Sequence, residues 1–341
     1  MRTKFIKVVF FISSVLFSYS AFGQDSIEIR SVFDYLTQKE GAKILLELDL
    51  DSLMDNRKNA EYIPATLTDE AGKSFTLEVR TRGKFRRKRC EIPPIKLKFP
   101  KDSLQENQFN AMNEIKLVLP CADRSENDQL IVREYVAYRM YESLNPDYST
   151  RARLVRLHLK DHNKKRPKKM FGLLVEHEEQ VSTRTHCTIV QDWGTTPEQL
   201  DADYAALMAL HQYFIGNTDW EIVSCRNIML LQPPDSAKII PVPYDFDFSG
   251  LVSAPYASPS AESGVLTVRD RFLMAQGINE QSIRKARNKF LAEKPTLYAW
   301  CRNSNLSSES SAQMTAFLDA FFQAVEADES VPLKLNYTKK E

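Results

Sequence analysis

Four polar residues that could do chemistry together fall in one stretch of the chain, GNTDWEIVSCRNIMLLQPPDSAKIIPVPYDFDFS at 216–249: Asp219, Asn227, Asp245 and Asp247. Carboxylate and amide oxygens are hard ligands, suited to Mg2+ or Mn2+ and, through the metal, to the oxygens of a bound phosphate. They act together only if the chain gathers them. Two short apolar runs, 228–231 and 239–242, flank QPPDSAK, whose two prolines and aspartate favour a turn. The pattern predicts two antiparallel strands folded about Asp235. That fold returns residues 243–245 to the side of Asn227, with Asp219 a few residues upstream.

The elements that must position this stretch follow from periodicity. Residues 42–53, 66–72 and 74–83 alternate apolar and polar side chains around a turn at 71–73, as half-buried antiparallel strands do. In PPIKLKF, Lys96 and Lys98 share one strand face while Ile95, Leu97 and Phe99 share the other. Either lysine could serve as a phosphate ligand. A helix is predicted over 128–144, stopped by Asn145-Pro146, followed by strands over 152–159 and 170–181 and a helix over 197–215 that Gly216-Asn217 ends. Residues 249–263 read as a loop, and 277–293 and 311–327 as two amphipathic helices separated by a polar stretch. No internal repeat is present.

The 341 residues carry 46 Lys plus Arg against 45 Asp plus Glu and are 43% hydrophobic, which suits a globular protein of one large or two small domains. Between Arg80 and Arg89 seven residues are basic, yet the balanced total charge argues against a nucleic-acid partner. Residues 1–23 have a basic start, an apolar core from 8 to 17, and Ala21 and Gly23 before Gln24, the pattern of a Sec signal peptide. The apolar run is short for a membrane span, so an exported chain, periplasmic or extracellular, with no stable anchor after cleavage is expected. Cys90, Cys121, Cys187, Cys225 and Cys301 show no CxxC spacing. An exported chain could pair four of them, and their spacing does not choose the pairs. The histidines have no metal-binding spacing, and His186-Cys187 does not form a Cys/His nucleophile pair.

GNTDW, then Asn227, an apolar strand, and a proline followed by aromatic-Asp-x-Asp resemble the kinase core of the spore-coat protein H (CotH) family, an atypical secreted kinase-like group. With RTRGKFRRK at 80–88 the resemblance spans most of 78–250; Tyr244 stands where the family usually has Trp, and no glycine-rich loop is visible. It implies an α+β, two-lobed, atypical protein-kinase-like fold: a β-rich N-terminal lobe to about 127, intermediate elements at 128–196, a mainly helical C-terminal lobe at 197–330 and a tail at 331–341. It also implies ATP with Mg2+ or Mn2+, and a protein serine or threonine as acceptor.

Phosphoryl transfer needs cations at the phosphates, metal ligands, and a base at the acceptor hydroxyl. On the resemblance, Arg82 and Gly83 approach the phosphates with Lys96 or Lys98, and Glu134 on the 128–144 helix orients the lysine. Glu178, or Glu176 on the same strand face, lies near metal or lysine. Asp219 receives the acceptor's proton, Asn227 and Asp245 hold the metal, and Asp247 lies behind them or holds a second metal. The competing readings are a catalytically inactive pseudokinase that binds or scaffolds, a metal-dependent hydrolase, and a surface-structural protein.

Overall fold

The computed structural model describes residues 30–122, 125–191, 193–274 and 278–327; the expected signal peptide and the 331–341 tail lie outside them. After a short helix α1 (Val32–Leu36) come β1 (Lys43–Leu48), α2 (Leu50–Asp55), β2 (Ile63–Thr68), β3 (Ser74–Thr81) and a helical turn α3 (Arg86–Arg89). Then follow β4 (Ile95–Lys98), α4 (Lys101–Glu106), β5 (Glu114–Val118), the long helix α5 (Ser125–Leu144), and the hairpin β6 (Ala152–Asp161) and β7 (Lys168–Val175).

The seven strands close into a barrel in the order β1-β2-β3-β4-β5-β7-β6. All neighbours are antiparallel except β1 and β6, which run parallel with Ile44 opposite Leu157. The alternation read from the sequence places Phe75, Leu77, Val79, Ile95, Leu97, Ile115 and Leu117 in one buried core, and turns Lys96 and Lys98 outward. The strands β6 and β7 are thus part of the barrel. The predicted strand over 42–53 ends at Leu48, because the Asp49 side chain accepts from the Ser52 amide and caps α2. The 170–181 strand ends at Val175, and Glu178 opens a helix, α6 (Glu178–Thr185), which His177 caps. Glu176 and Glu178 therefore do not share a strand face.

Downstream lie β8 (Thr188–Val190), α7 (Ala202–Ile215), β9 (Ile228–Gln232), β10 (Ile240–Pro243), α8 (Glu280–Ala292), α9 (Lys294–Cys301) and α10 (Ser308–Ala327). The predicted pair of C-terminal helices is a trio, since Pro295 starts α9 within its first turn. Strands β10, β9 and β8 form a small sheet. Helix α7 is buried along nearly its whole length and joins α5, α8, α9 and α10 in a second apolar core that also covers Ala152, Leu154, Leu173 and Val175 of the barrel. The class is mixed α+β. No helix among the described residues is long and apolar enough to cross a membrane.

Chain direction after α7 is set by close packing. Gly216 ends the helix at φ 65°, and its carbonyl accepts from the Gly250 amide at 3.0 Å. A Cβ on Gly250 would stand 2.2 Å from the Val268 carbonyl oxygen, so only glycine fits there.

One disulfide, Cys90–Cys121, joins the end of α3 to the segment leaving β5; Cys187, Cys225 and Cys301 form none. The bond spans 31 residues of sequence, for which chain-entropy arguments give about 3–4 kcal/mol of stabilisation. Cys90→Ser with Cys121→Ser is expected to lower unfolding free energy in denaturant by about that amount. An unchanged denaturation midpoint would show that the bond adds nothing.

Candidate active site

The β9–β10 hairpin does what its turn residues foretold. Ile228 lies opposite Pro243, and the Tyr244 amide donates to the Asn227 carbonyl at 3.0 Å. The Asn227 side-chain amide donates to the Asp219 carbonyl oxygen at 2.7 Å and to Asp219 Oδ2 at 3.0 Å. Its nitrogen is committed to Asp219, which leaves Oδ1 as the atom able to ligate a cation. Asn227 and Asp245 sit at φ 55° and 65°, a left-handed conformation costing about 1–3 kcal/mol at a residue other than glycine. Arg226 Nε lies 3.5 Å from Asp219 Oδ1. Burial raises the Asp219 carboxyl above its usual range; Arg226 opposes this and the charge of Asp245 adds to it.

Phe246 is the anchor between the two following aspartates. It is fully buried, against Tyr138 of α5 at 4.6 Å and His211 of α7 at 5.3 Å between ring centres. The Asp245 amide donates to the Tyr138 hydroxyl at 2.8 Å. Asp245 lies within electrostatic reach of Lys116, Glu134, Asp219 and Asp247. Asp247 is buried, accepts from the Tyr256 hydroxyl at 3.1 Å, and is pushed up to about 7 by burial and then by Asp245. Among the described residues no three His, Cys, Asp or Glu side chains enclose a metal by themselves. The donor set of Asn227 and the two aspartates fits a cation shared with phosphate oxygens, as Mg2+ is commonly held.

The lysine at this centre is one that the sequence reading passed over. Lys96 pairs with Glu114 at 2.7 Å and Lys98 with Glu78 at 3.3 Å; neither meets Glu134. Lys116 of β5, directly opposite Lys96 in register, is buried and pairs with Glu178 at 2.6 Å. Its ammonium lies 5.1 Å from the Tyr244 ring centre. Burial holds Lys116 below the usual lysine range, with Glu178 opposing. Burial alone would raise Glu178, yet the charge and hydrogen bond of Lys116 bring it down to about 2. The two partners thus pull opposite ways: the carboxylate gains from the pair while the lysine bears the desolvation. The net stabilisation is therefore smaller than the shift of Glu178 suggests. His177 Nε2 lies 3.0 Å from Glu114 and 3.2 Å from Glu178, linking the Lys96 and Lys116 pairs. The signal for Lys116 was available in EIKLVL, where it is the outward residue between two inward ones.

The basic segment also divides on inspection. Arg82 lies within electrostatic reach of Lys116, Glu134 and Tyr244. Gly83 adopts φ 82°, and a Cβ there would meet nothing within 4 Å, so backbone conformation and not crowding calls for glycine. Arg86 turns inward: Nη1 is 3.7 Å from Asp247 and 4.0 Å from Glu134. The expected lysine partner Glu134 therefore faces an arginine. Burial raises the Glu134 carboxyl well above its ordinary value, the charge of Asp247 adds to this, and Arg86 opposes it.

No family model and no curated protein matches the chain. Among solved structures it is similar to the Helicobacter pylori proinflammatory kinase CtkA, at 11% identity and a TM-score of 0.42, over 75% of this chain and 95% of that one. A likeness of that extent carries no argument about activity, and the chemistry rests on the side chains.

The Lys116–Glu178 pair makes a pH prediction. The folded Glu178 value of about 2 lies below the unfolded carboxylate value of about 4.3, so its contribution is complete above the unfolded value. It is lost as pH falls from there through about 2. Glu178→Gln is expected to flatten the pH dependence of unfolding free energy in that window. At neutral pH it should cost on the order of 3 kcal/mol, because Lys116 is left buried without its partner. An unaltered slope in denaturant titrations across the window would refute the pairing.

Proposed function

We propose that this chain is an exported, atypical kinase-like phosphotransferase of the CotH type, passing the γ-phosphate of ATP to a protein serine or threonine with Mg2+ or Mn2+. One observation carries the reading: a buried lysine paired with a half-buried glutamate lies beside an Asp/Asn group, with Asp245 in electrostatic reach of Lys116, Asp219 and Asp247. Metal-assisted phosphoryl transfer asks for that combination of cation, metal ligands and base. The mixed α+β fold and the disulfide, a bond typical of oxidising compartments, are in keeping with it.

In this reading Lys116, steadied by Glu178, neutralises phosphate oxygens, and Arg82 on its glycine-flanked loop adds a second positive charge. Asn227 and Asp245 hold the metal, with Asp247 behind them; the metal neutralises charge on the transferred group. Asp219 orients the acceptor hydroxyl and takes its proton. Its raised carboxyl suits a base better than an unperturbed aspartate would. Lys96 and Lys98, already paired, lie on the flank. No nucleic-acid partner is proposed.

Thermal unfolding of residues 24–341 with ATP or ADP, with and without Mg2+ or Mn2+, tests the binding half. Ligand at a hundredfold excess over Kd stabilises by about 2.7 kcal/mol. A rise in Tm of several degrees that requires both nucleotide and metal is expected. Asp245→Ala and Lys116→Met should abolish or strongly reduce it. Asp219→Ala should keep the rise and lose phosphate transfer. If no condition shifts Tm in the wild-type chain, the nucleotide site is wrong and a scaffold role takes its place. If Tm shifts but no phosphate is transferred to any acceptor, the pseudokinase reading holds.

A further inference from the structure

Of the seven basic residues at 80–89, Arg86 alone is buried, 7% exposed. Its backbone is held fast. The Cys90 amide donates to the Arg86 carbonyl at 2.9 Å, Cys90 is bonded to Cys121, and the Glu91 amide donates to the Cys121 carbonyl at 2.8 Å. Its Nη2 donates to the Leu119 carbonyl. From this seat one guanidinium nitrogen lies between two carboxylates of different elements, Asp247 at 3.7 Å and Glu134 of α5 at 4.0 Å. Both acids are at least nine-tenths buried. Glu134 Oε1 and Arg86 Nε are buried with no hydrogen-bond partner. The arrangement is loose for a dedicated Arg–carboxylate pair, which is commonly bidentate and short, and it leaves acid oxygen capacity unused. A single positive centre bridging carboxylates from separate segments does what a divalent ion does.

We propose that the Arg86 guanidinium is a built-in cation at this centre, occupying between Glu134 and Asp247 the position of a divalent ion, so that removing it turns the pair into a metal site. A consequence, which rests on the phosphotransfer reading, is that nucleotide-bound protein takes one metal ion, on the Asn227 and Asp245 side. Arg86 is then a positioning residue: it holds Asp247 without touching substrate.

The test uses the chain without nucleotide, so that its outcome is separate from that of the nucleotide experiment. Thermal unfolding is measured with and without millimolar Mn2+ for wild type, Arg86→Met, Arg86→Lys, and Arg86→Met combined with Glu134→Gln. Arg86→Met is expected to melt roughly 5–15 °C lower, because two buried acids lose their counter-charge. Mn2+ should then restore at least about half of that loss through binding to the native state. Arg86→Lys should stay near wild type and gain no more from Mn2+ than wild type does. The double variant should recover part of the stability without metal and lose the extra response. Equal Mn2+ responses in Arg86→Met and wild type would overturn the proposal, as would an Arg86→Met chain as stable as wild type. So would failure of Arg86→Met to fold even when refolded in Mn2+ while Arg86→Lys folds.

Discussion

Negative charge cannot be buried in quantity without positive charge beside it, and that constraint organises the joint between the barrel and the helices. Glu134 comes from α5, Asp219 from the loop after α7, and Asp245 and Asp247 from the end of the small sheet. The barrel side answers with Arg82, Arg86 and Lys116, from the loop after β3, from α3 and from β5. Buried without these cations the acids would take up protons, and Lys116, held low by burial, keeps its charge with the help of Glu178. Apposition of the halves is therefore written into the ion pairs as well as the apolar contact of α5 with β6 and β7.

Rigid packing behind the acids keeps the arrangement from relaxing. Phe246 is wedged between Tyr138 and His211, so the backbone on either side of it has little freedom, and two left-handed residues, Asn227 and Asp245, are tolerated nearby. Gly216 and Gly250 fix the entry to the same loop by a direct backbone hydrogen bond. Such strain persists where the surroundings over-determine the conformation. The same logic governs the other flank, where His177 caps α6 with Nδ1 while Nε2 lies between Glu114 and Glu178. One imidazole thus sets both the start of the helix and the carboxylate at its first position.

Much of this was legible in the residues. The 228–243 hairpin is marked by two apolar runs about a Pro-Pro-Asp turn, α5 and α7 by their stop signals at Asn145-Pro146 and Gly216-Asn217, and the alternation in β3 and β4 placed Lys96 and Lys98 outward as found. What escaped was decided by tertiary partners. Three lysines, at 96, 98 and 116, have the same outward strand pattern, and only packing under α6 and Tyr244 distinguishes Lys116. Glu178 lies in a run, EHEEQV, that fits a strand or a helix; the His177 cap decides it, and histidine is an uncommon cap. Arg86 is one of seven similar residues, and nothing local marks it as the one turned inward. The Cys90–Cys121 pairing depends on β3, β4 and β5 lying side by side. Asp219, Asp245 and Asp247 were visible because they are close in sequence, whereas Arg86 and Lys116 come from separate elements far upstream.

The parallel pairing of β1 with β6 has a consequence for how the chain acquires its structure. Ile44 meets Leu157, so although β1 can pair early with β2 and β6 with β7, the other edge of β1 waits for a segment more than a hundred residues later. Contacts of such separation are slow to form. Until they do, β1 presents an unpaired edge of alternating Ile44, Leu46 and Leu48, the kind of template that recruits other chains. For a polypeptide emerging in order, N-terminus first, the barrel can close only after β6 has appeared. Any shorter fragment would present an open sheet to its surroundings. The vulnerable period of this protein's life is therefore its synthesis, before β6 has appeared to close the barrel.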